Sequence, residues 1–362
     1  MTIDLTLDDE QQLLAESVRA FVQRDCPPDR VRAGDGRHDA GLWQTIAAAG
    51  WTGIALPEAT GGFGRGLLHL AVVCEELGRG AVSSPLVASA AGAALPIAWA
   101  GTDDQRRRWL PALASGERVG TLAHLEPGMQ HASDPVGLSG AVPLRGTKVL
   151  VPWAPVADLL VVTTKDGVRV IDGAAGDVVR VTTHAGLGVE PLGTVELGDA
   201  PAEPLGDRDA SGVVGRALDH AAVASLAYAV GVMESMLASS VQHARDRHQF
   251  GRPIGSFQAV AHRCVDMRTD IDACRYLAYQ AAWALDRGES AEVEVGAALS
   301  YGLDAARRVA MHAHQVHGAI GFSTEHDLHL STRRAKAFEL TYGPASWYRE
   351  RLAGAMGLHT SL

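Results

Sequence analysis

The chain lacks the features that would place it in several common classes. Its 362 residues hold four cysteines, Cys26, Cys74, Cys264 and Cys274, which lie far apart or inside apolar runs and show no C-x-x-C spacing. That excludes a disulfide framework and predicts reduced, buried thiols. No window approaches the ~18 unbroken apolar residues of a membrane span, and the opening MTIDLTLDDEQQ is acidic with no apolar leader. A cytoplasmic protein with no membrane partner is the expectation. Basic charge is also short, since 32 Lys and Arg against 42 Asp and Glu give a formal net charge of -10 at pH 7. A surface that displaces counterions from nucleic-acid phosphate needs the opposite balance, so no nucleic-acid partner is expected. A single pyrophosphate stays possible, because a few Arg side chains or a helix N-terminus suffice for it.

What is present is a core-forming composition, 47% hydrophobic and 20% charged, enough for one large core or two to three smaller ones. From Asp8 to about Gly116 apolar residues recur at helical spacing: Leu13, Leu14, Val18, Phe21 and Val22, then Leu42, Trp43, Ile46 and Ala47, then the run from Leu67 to Ser83. Gly50, Gly53, Pro57, Gly61, Gly62 and Gly64 mark a loop before the last of these. From about Glu117 to Ala210 the pattern changes to short β-branched runs, Val149 to Val151, Leu159 to Thr164 and Val168 to Ile171, and Asp166-Gly167 predicts a type I′ hairpin turn. Between Gly212 and Pro253 there is no proline, and Leu218, Ala222, Leu226, Val230, Met233 and Leu237 repeat at steps of three or four. A helix of ~30 residues would run ~45 Å. Further helices are expected just after Pro253, near Ala291, from Glu325 and from Pro344, as in an up-down bundle. The expected fold is α+β and multidomain: an N-terminal helical domain over 1–116, a small middle β domain over 117–210 and a C-terminal long-helix bundle over 211–362. The triplet Arg106-Arg107-Arg108 reads as a solvated helix face. His312, His314 and His317 have a metal-like spacing but no convergent carboxylate or cysteine, so no metal is expected.

Specific residues narrow the family. Gly50-Trp51-Thr52-Gly53-Ile54-Ala55-Leu56-Pro57-Glu58 followed by Gly61-Gly62-Phe63-Gly64, then Glu75-Glu76-Leu77-Gly78 and Trp109-Leu110-Pro111, resembles the N-terminal blocks of acyl-CoA dehydrogenases. These glycines follow no strand, which rejects a dinucleotide loop. Stronger matches are Arg247-His248-Gln249-Phe250-Gly251-Arg252-Pro253-Ile254 with Phe257-Gln258, and Gln315-Val316-His317-Gly318-Ala319-Ile320-Gly321-Phe322. The resemblance covers essentially the whole chain. It implies FAD as cofactor, an acyl-CoA thioester as substrate, an electron-transfer flavoprotein or similar acceptor, and a tetramer in which Arg and Phe of the first C-terminal block meet the FAD of a neighbouring subunit. Carried onto this sequence, it implies cofactor contacts from Arg247, Gln249, Phe250, Gln258, Gln315, Val316, Gly318 and Gly321. The chemistry agrees. A guanidinium offers a fork of donors to a pyrophosphate, a phenyl ring an apolar face, and glutamine both donors and acceptors, while glycine lets a ligand approach the backbone. The competing reading pairs Arg247 with Asp246 or Asp266 and makes the glycines a helix end.

The resemblance breaks where the chemistry should be. Family members take the α-proton of the thioester with a carboxylate beside the flavin, usually the Glu of an E-G-T triplet; the run Ala335 to Pro344 places Tyr342 there and Pro344 at the flavin-contacting Thr. A phenol with pKa near 10 is a poor base at neutral pH. The alternative base position, on the first long C-terminal helix, falls on Ala221. In the β region the family's T-E-P block reads Leu125-Glu126-Pro127, its G-S-D block Ala132-Ser133-Asp134, and its G-x-K-W-I-T element ends in Val151. Each missing polar contact to the flavin costs roughly 0.5–1.5 kcal/mol. No catalytic residue is therefore assigned, and Glu126, Asp134, Glu234 and Glu339 are the carboxylates that a shifted alignment would offer, Glu339 the best placed. The leading expectation is the non-catalytic partner in an α2β2 acyl-CoA dehydrogenase of the actinobacterial steroid side-chain type. Alternatives are a homotetramer with an unrecognised base, a flavin-free scaffold binding an acyl-CoA, an acyl carrier or a protein partner, and a flavin oxidase or monooxygenase, against which the lost flavin contacts argue.

Overall fold

The protein is described by a computed structural model over residues 5–358, except 130–131, 174–176, 185, 188–189, 207–210 and 289. Among the described residues the chain opens on α1 (Asp9–Asp25), α2 (Pro28–Ala33), α3 (Ala40–Ala48), α4 (Gly66–Arg79), α5 (Leu95–Ala100) and α6 (Asp103–Ala114), with a π-helical stretch, Ala88–Ala94, leading into α5. Strands follow: β1 (Gly120–Ala123), β2 (Leu144–Pro152), β3 (Leu159–Thr164), β4 (Gly167–Asp172), β5 (Val179–His184), β6 (Leu192–Ala200) and β7 (Glu203–Pro204). After them come α7 (Ser211–Asp246), a short ribbon of β8 (His248–Gln249) and β9 (Arg252–Pro253), then α8 (Gln258–Asp286), α9 (Glu292–His317), α10 (Leu328–Thr341) and α11 (Ala345–Ala355). Helix starts follow local chemistry: Asp8 with Gln11, and Thr102 with Gln105, form reciprocal capping boxes that satisfy first-turn donors of α1 and α6. By compactness the chain falls into two units, one of residues 1–33, 71–82 and 223–362, the other of 34–70 and 83–222.

The second unit contains both main sheets, of order β1-β3-β4-β7 and β2-β6-β5. β3 is buried along its whole length, which is why it reads as an unbroken apolar run. Leu159 and Val161 pack with Ile97 of α5 and with Trp109, Leu110 and Leu113 of α6, whereas Leu160 and Val162 face Leu144, Val195 and Leu197 of the other sheet. The β3–β4 turn differs from expectation. Pairing of Thr164 with Gly167 leaves Lys165 and Asp166 as the loop, and positive φ is confined to Gly167 (114°), whereas a type I′ turn needs it at both central residues. The arginine triplet is solvated only in part. Arg107 is exposed beside Asp104, but Arg106 donates to the Ala98 carbonyl at 3.0 Å, and Arg108 pairs with Glu203 and lies over the Trp109 ring at 4.3 Å.

The first unit is built on α7 and α4. A Cβ at Gly78 would stand 2.0 Å from the Tyr228 carbonyl oxygen, and one at Gly231 1.8 Å from that of Glu75, so the two backbones touch and only glycine fits at either place. Beside this crossing lies a buried ion network. Glu75 accepts from Arg275 (3.0 Å), Arg79 (2.8 Å) and the Tyr279 hydroxyl (2.8 Å); Glu76 accepts from Arg19 (2.7 Å) and Arg79 (3.1 Å). Arg268 and Arg275 both donate to Glu234. Among the described residues one helix, Gly212–Asp246, is long and apolar enough to cross a membrane, but 67% of its apolar window is buried within the protein, as in a core helix. All four cysteines are free, and burial pushes the Cys74 and Cys274 thiols up to about 12. Removing one member of the network should leave a buried charge uncompensated. Arg275→Met should cost about 3–5 kcal/mol in urea unfolding, while Arg107→Met should stay within about 0.5 kcal/mol of the parent.

Candidate cofactor-contact site

Most of the sequence candidates fall in the first unit, around the ends of three helices. α7 stops at Asp246, and the Arg247 carbonyl accepts from the Ile254 N–H at 2.8 Å to close the β8–β9 ribbon. Its turn residues, Phe250 and Gly251, have φ of 53° and 78°, the positive pair that a type I′ turn requires. A left-handed conformation costs a residue such as Phe about 1–2 kcal/mol. The turn nevertheless holds the Phe250 side chain outward, 91% exposed, its ring edge-on to Phe257 at 6.0 Å.

Beside this turn the Arg247 guanidinium takes no ion pair or hydrogen bond among the described residues. Asp246 accepts instead from Gln242 at 2.8 Å, so the bland pairing with Arg247 is not what the structure forms. α8 begins next to it at Gln258, with Phe257 at the N-cap supplying no side-chain cap. A first turn without a cap presents free N–H groups, which together with a guanidinium suit an anion. Gln249 and Gln258 are exposed on the same segment.

The last turn of α9 supplies the remaining candidates. His317 stacks on His243 of α7, ring centroids 4.7 Å apart, which brings the helix end carrying Gln315 and Gly318 to the one that precedes Arg247. Gln315 is exposed, whereas Val316 is buried at 5% and offers only its backbone. Gly318 ends α9 at φ 65°, ψ −143°, with open space where a side chain would be. Gly321 is different: a Cβ there would meet His317 Cβ at 2.9 Å and Leu328 Cδ2 at 3.2 Å. Packing inside the chain explains that glycine, so the close-approach argument applies to Gly318 alone. The three histidines of metal-like spacing have separate tasks. His312 Nδ1 accepts from Arg263 (3.0 Å), His314 stacks on Phe322 (4.4 Å), and His317 belongs to the stack with His243; no group of three metal-ligating side chains converges among the described residues.

Where the family base would be, the side chains are already engaged. The Tyr342 hydroxyl lies 2.7 Å from Ser225 Oγ, and Ser225 follows Ala221 by one turn on α7. Glu339 pairs with Lys336 at 3.0 Å. Burial alone would raise the Glu234 carboxyl, but Arg268, Arg275 and Arg79 outweigh it and hold Glu234 below the usual carboxylate range. In the second unit the same holds for Glu126: burial raises it, and Lys148 with the N–H groups of Leu138 and Gly137 brings it below its ordinary value. Lys148, with no exposure, donates to Glu126 (2.7 Å), to the His124 carbonyl (3.0 Å) and to Thr163 (3.2 Å). Leu125 presents hydrocarbon, Val151 is buried in the sheet core, and Asp134 is half-buried with a partner of its own. Ser225 and His243 were not singled out from sequence, whereas Lys148 is the Lys of the G-x-K-W-I-T element. Of those two, Ser225 alone had a signal, its i+4 relation to Ala221 on one helix face.

Family comparisons agree with this arrangement of elements. Residues 8–117 match the acyl-CoA dehydrogenase N-terminal domain and residues 211–357 the C-terminal domain. A relative from Mycobacterium tuberculosis, acyl-CoA dehydrogenase FadE27, is 32% identical over 97% of this chain and 98% of its own. The chain belongs to the acyl-CoA dehydrogenase family. Acyl-CoA dehydrogenases are FAD-dependent oxidoreductases acting on CH–CH bonds, and the helical, β, helical order described above is their fold. Among solved acyl-CoA dehydrogenase structures, the ChsE4-ChsE5 complex from Mycobacterium tuberculosis contains a chain 30% identical to this one, with 99% of this chain and 100% of that chain covered and a TM-score of 0.88. A steroid acyl-CoA dehydrogenase variant, Tcur3481-Tcur3483, is 32% identical with 97% and 99% covered and a TM-score of 0.88. For this acyl-CoA dehydrogenase chain, Tyr342→Phe should lower stability by about 0.5–1.5 kcal/mol through loss of the Ser225 bond. Acyl-CoA dehydrogenase turnover should be unchanged, which urea unfolding and a steady-state assay would check.

Proposed function

We propose that this chain is the non-catalytic subunit of a hetero-oligomeric, α2β2 acyl-CoA dehydrogenase and that it completes the FAD site of a companion subunit. The observation that carries the reading is the contrast within one chain between an unpaired Arg247 beside a strained, 91% exposed Phe250 and a Tyr342 tied to Ser225 in place of a base. The residues present fit half of the cofactor. Arg247 and the uncapped start of α8 suit the pyrophosphate, Phe250 covers an apolar face, and Gln249, Gln258 and Gln315 supply hydrogen bonds. Val316 and Gly318 contribute backbone, and Gly321 keeps that segment seated. Among the described residues the side chains for the isoalloxazine half are fewer, since Glu126 and Lys148 satisfy each other and the Leu125 and Val151 side chains have no donor to give.

FAD in the companion's site would supply the acceptor for the β-hydride of the acyl-CoA, and a carboxylate of the companion would take the α-proton. This chain's share is to hold the adenylate end and to close the companion's site against water. A bulky steroid side-chain acyl-CoA is the substrate favoured by the likeness to the steroid enzyme, with an electron-transfer flavoprotein or similar acceptor downstream and a cytoplasmic location. The test is to purify the chain alone and with its companion, then measure flavin absorbance and native mass. Two FAD per four chains, only in the complex, is the expected result; one FAD per lone subunit with acyl-CoA oxidation would overturn it. Within the complex, Arg247→Ala should strip most FAD from the companion's site, and unchanged occupancy would contradict the role of Arg247.

A further inference from the structure

Three imidazoles meet behind the cofactor-contact face, and none is used in the function proposed above. His317, 5% exposed, lies between His243 of α7 (4.7 Å between ring centroids, 24° between planes) and His326 of the segment before α10 (4.9 Å, 70°). Its Nδ1 is 2.8 Å from the Ala313 carbonyl, which can only accept, so Nδ1 carries the proton. Nε2 is then the acceptor for the Ser239 hydroxyl, 3.2 Å away on α7. In this tautomer the ring is neutral and both nitrogens are satisfied.

A second proton would change the junction at once. Nε2 would become a donor, forcing the Ser239 hydroxyl to turn and accept, and a cation on the buried His317 ring would face two half-buried imidazoles. The charged groups around the stack compensate in part at most, since Asp246 favours a proton on His243 and Arg247 opposes it more strongly. On α7, Asp246 accepts from Gln242 and Arg247 adds positive charge; before α10, Asp327 pairs with Arg32 and Glu325 is exposed; on α9, His314 is stacked on Phe322. Burial is the largest cause that holds both His317 and His243 below the ordinary imidazole value; the bond to the Ala313 carbonyl raises His317 in part, and neighbouring histidines lower both.

We propose that the His243–His317–His326 stack is a proton-operated clasp: neutral, it ties the end of α7 to the end of α9, and on gaining a proton it opens that junction and unsettles the face carrying Arg247, Phe250 and Gln315. Its consequence for FAD rests on the function proposed above, whereas the clasp itself does not. The sign follows from linkage. With folded values below the unfolded value of about 6.5, the unfolded or opened state binds more protons, so the stabilisation is complete above that pH and is lost as pH falls from there toward the folded values.

The test is hydrogen–deuterium exchange on the lone full chain at pH 7.5 and 5.5, corrected for intrinsic rates. Protection over 239–247 and 312–326 should fall by about tenfold per proton taken up and pH unit crossed, with the rest of the bundle unchanged. His317→Gln should remove that pH dependence, and His243→Gln, at the rim of the stack, should weaken it and serves if the first variant does not fold. Equal protection at both pH values, a loss spread evenly over all helices, or an undiminished loss in the folded variants would overturn the clasp. In the co-purified complex, FAD release at pH 5.5 from the parent but not from His317→Gln would support it. A clasp that opens by exchange while FAD stays bound would count against the cofactor role of this face and leave the clasp standing.

Discussion

The close approach of α4 and α7 constrains the helical unit more than any other contact. Two glycines, Gly78 and Gly231, bring main chain against main chain, and no other residue can replace either without parting the helices. That proximity brings Glu75 and Glu76 on one helix to Glu234 on the other, and three carboxylates in a dry space are intolerable unless cations reach them. Arg19, Arg79, Arg268 and Arg275 are those cations, arriving from α1, α4 and α8. The network therefore fixes the approach of further helices as a condition of the first crossing. α8 enters with its register set by Arg268, Arg275 and Tyr279, which in turn determines where its uncapped N-terminus lies.

Much of this was legible in the sequence. Helices showed themselves by apolar steps of three and four, and β3 by a continuous run that both neighbouring layers bury. The failures have physical causes. A type I′ turn was expected at Asp166-Gly167 because the dipeptide favours it, yet strand pairing placed the positive φ one residue beyond the loop; the turn with two positive φ values fell on Phe250-Gly251, where composition argues against it. Local preference names a possibility, and register decides. Arg106 and Arg108 looked like solvent residues because their neighbours in sequence are charged, while their partners, Ala98 and Glu203, come from elsewhere in the chain. The candidate site was legible as a set of residue types but not as a set of partners. Ser225 lies 117 residues from Tyr342 and Ser239 lies 78 from His317, separations over which no local pattern operates.

The two halves of the candidate chemistry differ in how much of their bonding capacity is left over. Around Arg247 donors remain and an aromatic side chain is in water, so free energy is available for something outside the chain. Around Glu126 and Lys148 every charged group has found another within the fold, and an incoming ligand would have to compete with bonds already made. Binding strength follows from unsatisfied capacity, and the two regions differ in how much of it they keep.

The pair formed by Tyr342 and Ser225 has an implication for descent. Restoring a glutamate at 342 would discard the phenol, leave the Ser225 hydroxyl to find a new partner and still lack the hydroxyl that Pro344 cannot provide. A glutamate at 342 would thus lose a bond worth about 0.5–1.5 kcal/mol and still stand beside a proline at 344. On the function proposed above, such pairs hold a dependence on another chain in place much as a ratchet holds a wheel.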